Sequence, residues 1–240
     1  MPEDERPPPP DHLTILGLGE VDVIGRLPWS SNGTFLTTCT LDDRELGAVY
    51  KPEGGERPLW DFDGGLYRRE VAAYVVSDAL GWGIVPETIE RLDAPYGPGS
   101  MQRFVDADFS EHYFTLLEDP ATHDQLRRMG AFDVVVNNAD RKSGHCLLDA
   151  DRKIWGIDNG LSFHPQPKLR TVIWEFAGET IADELRADLV RLARTPPDAL
   201  CDLLSQEEVH AMCTRAERLA RSGKLPRPDP RSHHYPWPLV

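Results

Sequence analysis

Short runs of alternating apolar and polar residues, broken by turn residues, occupy the first part of the chain. Between residues 13 and 52 this pattern predicts short strands and turns, because a half-buried strand needs a period of two and a turn needs small or polar residues. The predicted strands cover residues 20–27, 34–41 and 46–51, with turns at 29–33 and 42–45. The pattern therefore indicates a small antiparallel sheet.

A helical pattern follows this sheet, and two further strands follow the helix. Apolar residues at helical spacing predict a helix over residues 66–80, and Gly81 is placed to end it. Beyond it, residues 84–89 and 101–105 have the composition and alternation of strands. The sheet is thus predicted to gain two strands after one helix.

The rest of the chain has mainly the spacing of helices. Helices are predicted for residues 122–137, for 181–193 and from Ser205 to a stop at Gly223, and a strand-like run covers 154–157. Thr122 with Gln125, and Ser205 with Glu208, match the capping box, in which two side chains satisfy the backbone donors at a helix start. Strands first and helices later predict an α+β fold.

Composition excludes several classes of protein. With a formal net charge of −14, the chain lacks the positive surface that nucleic acids and anionic membranes require. No apolar run approaches the length of a membrane span, and the charged, proline-rich start is unlike a signal peptide. The four cysteines, Cys39, Cys146, Cys201 and Cys213, have neither metal nor disulfide spacing. We therefore expect a cytoplasmic protein with reduced thiols, no nucleic-acid partner and no membrane association.

Two aspartates between residues 137 and 163 indicate a chemical function. Asp140 follows the predicted helix 122–137 and Asp158 follows the strand-like run 154–157, so two neighbouring loops each present a carboxylate. Phosphoryl transfer needs such a pair, with one Asp beside the attacking hydroxyl and a second on the divalent ion at the nucleotide phosphates. Taken alone, each segment is more typical of an ordinary turn than of a catalytic loop. Their order and their separation of eighteen residues favour the catalytic interpretation.

The segment NADR at 138–141 and the segment IDNGL at 157–161 resemble the catalytic and metal-binding segments of the phosphatidylinositol 3-/4-kinase-like superfamily. The resemblance is strongest to its type II 4-kinase branch, extends more loosely to HipA-like kinases, and includes a bacterial subgroup of actinobacterial type. It implies a two-lobed protein-kinase-like fold, with a small antiparallel-sheet N-lobe and a mostly helical C-lobe. The implied boundaries are a disordered tail at 1–11, the N-lobe at 12–103, the C-lobe at 104–224 and a Pro-rich tail at 225–240.

The same resemblance assigns nucleotide-binding residues in the N-lobe. Lys51 would hold the α- and β-phosphates of ATP, and Glu70 would orient Lys51. The turn of Ser31, Asn32, Gly33 and Thr34 would cover the phosphates, and Gln102, Phe104 and Val105 would form the hinge beside the adenine. On local sequence alone, the turn is equally an ordinary hairpin, Lys51 an edge-strand charge and Glu70 a solvated helix charge.

The resemblance also assigns the catalytic and metal-binding residues. Asp140 would accept or align the substrate hydroxyl, Asp158 would hold Mg²⁺ or Mn²⁺, and Arg141 or Lys142 would offset charge on the transferred group. His145 stands where kinases place a metal-binding Asn. A neutral imidazole can ligate Mn²⁺ but suits Mg²⁺ less well than oxygen does. The alternative is a histidine packed within the loop.

These assignments predict an ATP-dependent phosphotransferase that acts on a hydroxyl of a soluble small molecule or protein. The acidic composition counts against a phosphoinositide acceptor. Two alternatives stay open: a nucleotide-binding pseudokinase or scaffold, favoured by His145, and an AMP transferase on the same fold. The Pro-rich tail docks either on its own lobe or on a protein partner, and the sequence does not choose between them.

Overall fold

The computed structural model describes residues 10–28, 32–231 and 233–239. The strands are β1 Glu20–Arg26, β2 Phe35–Leu41, β3 Arg44–Pro52, β4 Thr88–Arg91, β5 Gly99–Arg103, β6 Cys146–Leu148 and β7 Ile154–Gly156. The helices are α1 His12–Leu18, α2 Leu66–Leu80, α3 Tyr113–Leu116, α4 His123–Val136, α5 Asp183–Arg194, α6 Leu200–Leu203 and α7 Gln206–Ser222. The predicted α+β class is therefore confirmed.

The N-terminal part is one antiparallel sheet of five strands in the order β1-β2-β3-β5-β4. Helices α1 and α2 pack against it, and Ile15 and Leu16 of α1 share a buried core with Tyr50 and Met101 of the sheet. The three predicted N-terminal strands and the helix over 66–80 are present within two residues of their predicted ends. The sheet brings Lys51 on its central strand β3 beside helix α2.

Helix α1 contradicts the prediction that residues 13–52 contain only strands and turns. Asp11 caps the helix, since its Oδ1 accepts the N–H of Thr14 at 2.8 Å. The segment HLTILGL is short and apolar, and periodicity alone does not separate a strand from a helix over seven residues. Asp11 thus belongs to the folded part of the chain, while residues 1–9 of the predicted disordered tail lie outside the described residues.

The strand predicted over 84–89 is displaced to Thr88–Arg91. The N–H groups of Ile84 and Val85 donate to Ser77 Oγ at 2.8 and 3.1 Å, so a side chain of α2 replaces a strand partner there. Ile84 and Val85 are buried in the main core. The apolar pattern at these two residues therefore reflects packing in the core beneath α2, and not a strand of the sheet.

The C-terminal part is mostly helical and contains the larger hydrophobic core. Helices α4, α5 and α7 contribute Leu126, Met129, Phe132, Leu189 and Met212 to it, and the short hairpin of β6 and β7 packs beside α4. None of the described helices combines the length and the apolar composition needed to cross a membrane. The two-part architecture is as predicted, while the lobe boundaries at 103/104 and 224/225 stay predictions.

The capping box predicted at the start of α4 is wrong. Thr122 Oγ1 donates to the carbonyl of Leu116 at 2.6 Å rather than capping the helix. The Gln125 side chain accepts the N–H of Ile154 and donates to Arg152 O, both at 2.9 Å. These two side chains therefore tie α4 to the preceding turn and to the β6–β7 hairpin.

The capping box at the start of α7 is confirmed. Ser205 Oγ accepts the N–H of Glu208, and Glu208 Oε2 accepts the N–H of Ser205 at 2.8 Å. Glu208 also forms an ion pair of 2.6 Å with Arg69 on α2. Gly223, at φ 63°, ends the helix as predicted.

We expect Ser205→Ala to lower the free energy of unfolding by about 1 kcal/mol, because the helix then loses an N-cap acceptor. For a chain of this size, this corresponds to a fall in Tm of roughly 2–4 °C. Thermal unfolding followed by circular dichroism measures it, and Ser205→Thr, which keeps both the acceptor and the hydroxyl that donates to Glu208 Oε2, is the control. Equal losses in both variants would show that the cap is not what stabilises the start of α7.

The Pro-rich tail docks on its own C-terminal part. The carbonyl of His234 accepts the N–H of Thr171 at 3.1 Å and the indole N–H of Trp174 at 2.9 Å. Further on, the carbonyl of Leu239 accepts the N–H of Ser143 at 2.8 Å. These contacts confirm docking on its own lobe and place the tail beside the loop that carries Asp140, while a protein partner for the tail stays a prediction.

Candidate active site

The end of β3, helix α2 and the loop after β7 bring three charged side chains together. Lys51 Nζ lies 2.8 Å from Asp158 Oδ1 and also pairs with Glu70 Oε1. In the sequence, Glu70 lies 19 positions and Asp158 107 positions from Lys51. The fold therefore joins three residues that the sequence analysis assigned to one cleft.

Glu70 links helix α2 to the loop that carries Asp158. Its Oε2 accepts the N–H of Asn159 at 2.8 Å, while the other carboxylate oxygen, Oε1, pairs with Lys51. Gly160 permits this close approach, since a Cβ there would lie 3.3 Å from Glu70 Oε1. The buried carboxylate thus fixes both the amine and the second acidic loop.

Asp158 has a backbone conformation that few residues other than glycine adopt. Its φ is 59°, in the left-handed region, which persists where surrounding contacts impose it and is common at functional sites. The charge of Lys51 holds the pKa of Asp158 well below its usual range. Burial acts to lower the pKa of Lys51, but the carboxylates of Asp158 and Glu70 outweigh it, so the pKa is raised. Lys51 and Asp158 are therefore both charged at neutral pH.

Asp140 lies in the same cavity with a different electrostatic environment. Its N–H donates to Asn138 Oδ1 at 2.9 Å, and its Oδ2 lies 3.1 Å from Lys142 Nζ. Burial raises the pKa of Asp140, and Lys142 partly opposes that shift. Asp140 lines the cavity with Lys51 and Asp158. Of the two carboxylates, Asp140 is the more basic and thus the better proton acceptor.

Arg141 does not reach the cleft, which corrects the role that the sequence analysis gave it. Its side chain is fully buried, and Nη2 lies 3.0 Å from Asp133 Oδ1 on α4. The guanidinium also donates to Ile157 O and to Asn159 Oδ1, both at 2.7 Å. Arg141 therefore holds the loop of Asp140 against the loop of Asp158 and cannot contact a transferred group.

His145 is hydrogen-bonded as a neutral ring. Burial lowers its pKa to about 4, so it carries no charge at neutral pH. The backbone N–H of Lys142 donates to Nδ1 at 3.4 Å, which places the ring proton on Nε2, and Nε2 lies 3.3 Å from Asp158 Oδ2. A metal ion at Nε2 would require the other tautomer. The geometry therefore favours a histidine that orients Asp158, and metal ligation by His145 stays a prediction.

An apolar compartment of about 300 Å³ lies between the sheet and the β6–β7 hairpin. The predicted hinge residues Gln102, Phe104 and Val105 line it. Further apolar side chains of the lining include Val49, Leu147 and Ile157. The Gln102 amide donates to Thr88 Oγ1 at 2.8 Å, so this side chain is part of the wall. An apolar compartment with few polar groups suits an aromatic ring.

A second compartment of about 290 Å³ continues the first toward Asp140. Thr34, Lys51 and Asp158 line both compartments, which therefore form one cleft. Arg57 also lines the second compartment, is exposed, and forms no ion pair with another described residue. The sequence analysis missed Arg57, because in a turn-rich loop its charge looks like any solvated arginine. Its position six residues after Lys51 was the available signal.

Residues of the turn predicted to cover the phosphates form hydrogen bonds with the loop that carries Gly55 and Arg57. Gly33 donates its N–H to Gly55 O at 2.8 Å, and Asn32 Oδ1 accepts the N–H of Arg57 at 3.2 Å. A Cβ on Gly33 would lie 3.0 Å from Gly55 Cα, so glycine is required for this approach. Ser31 lies outside the described residues. The turn thus supports the Arg57 loop instead of presenting the Gly33 N–H to a ligand.

The donor set of the cleft fits a divalent ion carried in by phosphates. Within residues 10–28, 32–231 and 233–239, no three His, Cys, Asp or Glu side chains converge as a metal cage. Mg²⁺ is often held by only one or two carboxylates, substrate phosphates and water. Asp158, with half of its side chain exposed, matches the protein's part of such a site.

The two-part architecture defines the class as a protein-kinase-like fold. A solved structure of hydra Fam20 with sugar shares this fold with a TM-score of 0.54 and 12% identity, over 88% of this chain and 86% of that chain. The Helicobacter pylori proinflammatory kinase CtkA gives a TM-score of 0.45 with 14% identity, over 88% and 94% of the two chains.

No family model matches the sequence. Protein Rv2133c of Mycobacterium tuberculosis is 40% identical to this chain, over 95% of each. The chain therefore belongs to the same family as that mycobacterial protein.

Proposed function

We propose that the protein is an ATP-dependent phosphotransferase of the phosphatidylinositol 3-/4-kinase-like type. Its acceptor is a hydroxyl of a soluble small molecule or protein. One observation carries the proposal: Lys51 contacts both Glu70 and Asp158 in a cleft that Asp140 also lines. A charged amine held by a buried carboxylate, with two further carboxylates beside it, is what nucleotide phosphates and a hydroxyl acceptor require.

The two compartments hold different parts of the nucleotide. The adenine occupies the apolar compartment beside Phe104 and Val105, and the phosphates lie along Lys51 toward the compartment of Asp140. Glu70 keeps the Lys51 amine in place. Asp158 would hold the divalent ion, Mg²⁺ or Mn²⁺, and the ion would supply positive charge beside the phosphates.

In the chemical step, Asp140 takes the proton of the acceptor hydroxyl. The acceptor oxygen forms a bond to the γ-phosphorus, the bond between the γ-phosphorus and the oxygen that bridges it to the β-phosphate breaks, and ADP leaves with that oxygen. The raised pKa of Asp140 supports this role, since a more basic carboxylate is the better general base. Lys142, 3.1 Å from Asp140, supplies positive charge near the transferred group, a role that Arg57 shares.

The direct test compares nucleotide binding with turnover in the wild type and Asp140→Asn. We expect Asp140→Asn to keep the affinity for ATP within about threefold and to reduce ADP formation roughly 10²–10⁴-fold. Calorimetry measures binding, and a coupled assay with Mg²⁺ or Mn²⁺ measures ADP formation. Asp124→Asn, an exposed position on α4, is the matched control.

Three outcomes would contradict the proposal. ATP binding with the same ADP background in the wild type and Asp140→Asn indicates a nucleotide-binding pseudokinase. Pyrophosphate release with a gain of AMP mass on a target indicates AMP transfer. Failure of the wild type to bind ATP removes both the kinase and the pseudokinase.

A further inference from the structure

A second groove lies on the C-terminal part, at the face formed by α7 and residues 165–169, and has a volume of about 850 Å³. We call it the α7 groove. The larger side chains of its apolar walls are those of Val134, Pro165, Pro167, Leu169, Leu219 and Leu225. An apolar surface of this extent marks a binding site more often than free surface does.

The charge of the α7 groove is opposite to that of the whole chain. Arg215, Arg218 and Lys224 line it, and no Asp or Glu does, although the net charge of the chain is −14. None of these three side chains forms an ion pair within the described part of the chain. His210 is the other titratable group of the lining. The groove therefore favours a negatively charged ligand.

Arg215 is the partly buried member of these three positive charges. Its Nε donates to Val135 O at 2.9 Å and its Nη1 to His164 O at 3.3 Å, while Nη2 is buried and has no hydrogen-bond partner among the described residues. Burial lowers the pKa of Arg215 to about 10, and no carboxylate acts to raise it. A buried cation without a counter-ion is costly, so an anion that reached it would be bound favourably.

The neutral polar groups of the groove are already in use. Asn137 Nδ2 donates to the carbonyls of His164 and Gln166 at 2.8 and 2.7 Å, and Asn137 Oδ1 accepts the N–H of Lys168. The hydroxyls of Thr214 and Ser222 donate to backbone carbonyls of their own helix. A docked peptide would therefore find few partners for its backbone, whereas an acyl chain needs none.

We propose that the α7 groove binds an amphipathic acyl anion of the fatty-carboxylate type. The carboxylate of the ligand pairs with Arg215. Arg218 and Lys224 lie at the rim of the groove, and the acyl chain follows the proline and leucine side chains. This site is distinct from the nucleotide cleft, and its occupation does not depend on phosphoryl transfer.

Calorimetric titration with dodecanoate below its micelle concentration tests the proposal. We expect saturable binding to the wild type and a loss of affinity of roughly tenfold or more in Arg215→Met, because a charge-assisted hydrogen bond is lost. Arg221→Met, an exposed position on the same helix outside the groove, is the matched control and keeps wild-type affinity. Dodecanol, which has the chain without the charge, binds the wild type at least tenfold more weakly.

Two further arms keep the test decisive. Should Arg215→Met fail to fold, the double variant Arg218→Met/Lys224→Met, at more exposed positions, is expected to weaken dodecanoate binding severalfold. An acidic, leucine-rich peptide is expected not to bind. Absence of dodecanoate binding, equal affinity for dodecanol, unchanged affinity in all groove variants, or binding of the peptide instead would each overturn the proposal.

Discussion

Asp158→Asn is expected to reduce ATP-dependent phosphoryl transfer by at least about a thousandfold, because the cleft loses the carboxylate that holds the divalent ion. The substitution keeps the size of the side chain, and asparagine tolerates the left-handed backbone at φ 59°. The ion pair with Lys51 is lost, but half of the Asp158 side chain is exposed, so the protein is expected to stay folded. Single-turnover transfer from radiolabelled ATP measures the effect.

The expected signature of Asp158→Asn differs from that of Asp140→Asn. Without Asp158 the dependence of ATP affinity on Mg²⁺ or Mn²⁺ disappears, whereas Asp140→Asn retains it. Asp151→Asn, an exposed position on the turn of the β6–β7 hairpin, is the control and keeps full activity. Transfer by Asp158→Asn within tenfold of the wild type would exclude Asp158 as the metal-binding residue.

The parts of the site that could be predicted from the sequence are those whose signals are local and ordered along the chain. Lys51 at the end of a strand, Glu70 on the following helix, and Asp158 after a short strand follow the order of the resembled kinase superfamily, and that order was enough to predict them in one cleft. The helix ends at Gly81 and Gly223 were predictable for a similar reason, since glycine supplies the left-handed conformation there.

The parts of the site that could not be predicted from the sequence depend on contacts between segments that no local sequence pattern encodes. Gly33 looked like a phosphate-binding glycine, but its N–H is taken by Gly55, 22 positions later, through a loop whose path the sequence does not specify. His145 stands where the resemblance implies a metal-binding Asn, yet its neighbours determine which ring nitrogen carries the proton, and hence what its Nε2 can bind.

The role of Arg141 carried a signal that could have been used. Asp133 lies one turn beyond Met129 on the face of α4 that also carries Leu126, so the apolar side of a helix includes a carboxylate. A charge on such a face requires a buried partner, because an unpaired ionised group in the core is strongly destabilising. Arg141, at the loop eight positions later, is that partner.

Arg141→Met is therefore expected to lower the free energy of unfolding by roughly 3–5 kcal/mol, the cost of leaving one member of a buried ion pair uncompensated. Asp133 is fully buried, and without Arg141 it retains a hydrogen bond of 3.0 Å from Thr171 but no counter-ion. The substitution also removes the donors to Ile157 O and Asn159 Oδ1. Chemical denaturation measures the loss, which is large enough to leave much of the variant unfolded at 37 °C.

The double variant Asp133→Asn/Arg141→Met distinguishes a lost ion pair from lost packing. It removes the uncompensated charge, so we expect it to recover at least about 1 kcal/mol relative to Arg141→Met. Arg231→Met breaks an exposed ion pair of 3.2 Å and is expected to change the free energy of unfolding by less than about 1 kcal/mol. If Arg141→Met were as mild as Arg231→Met, the two acidic loops would not be held together by this guanidinium, and the positioning role assigned to it would fail.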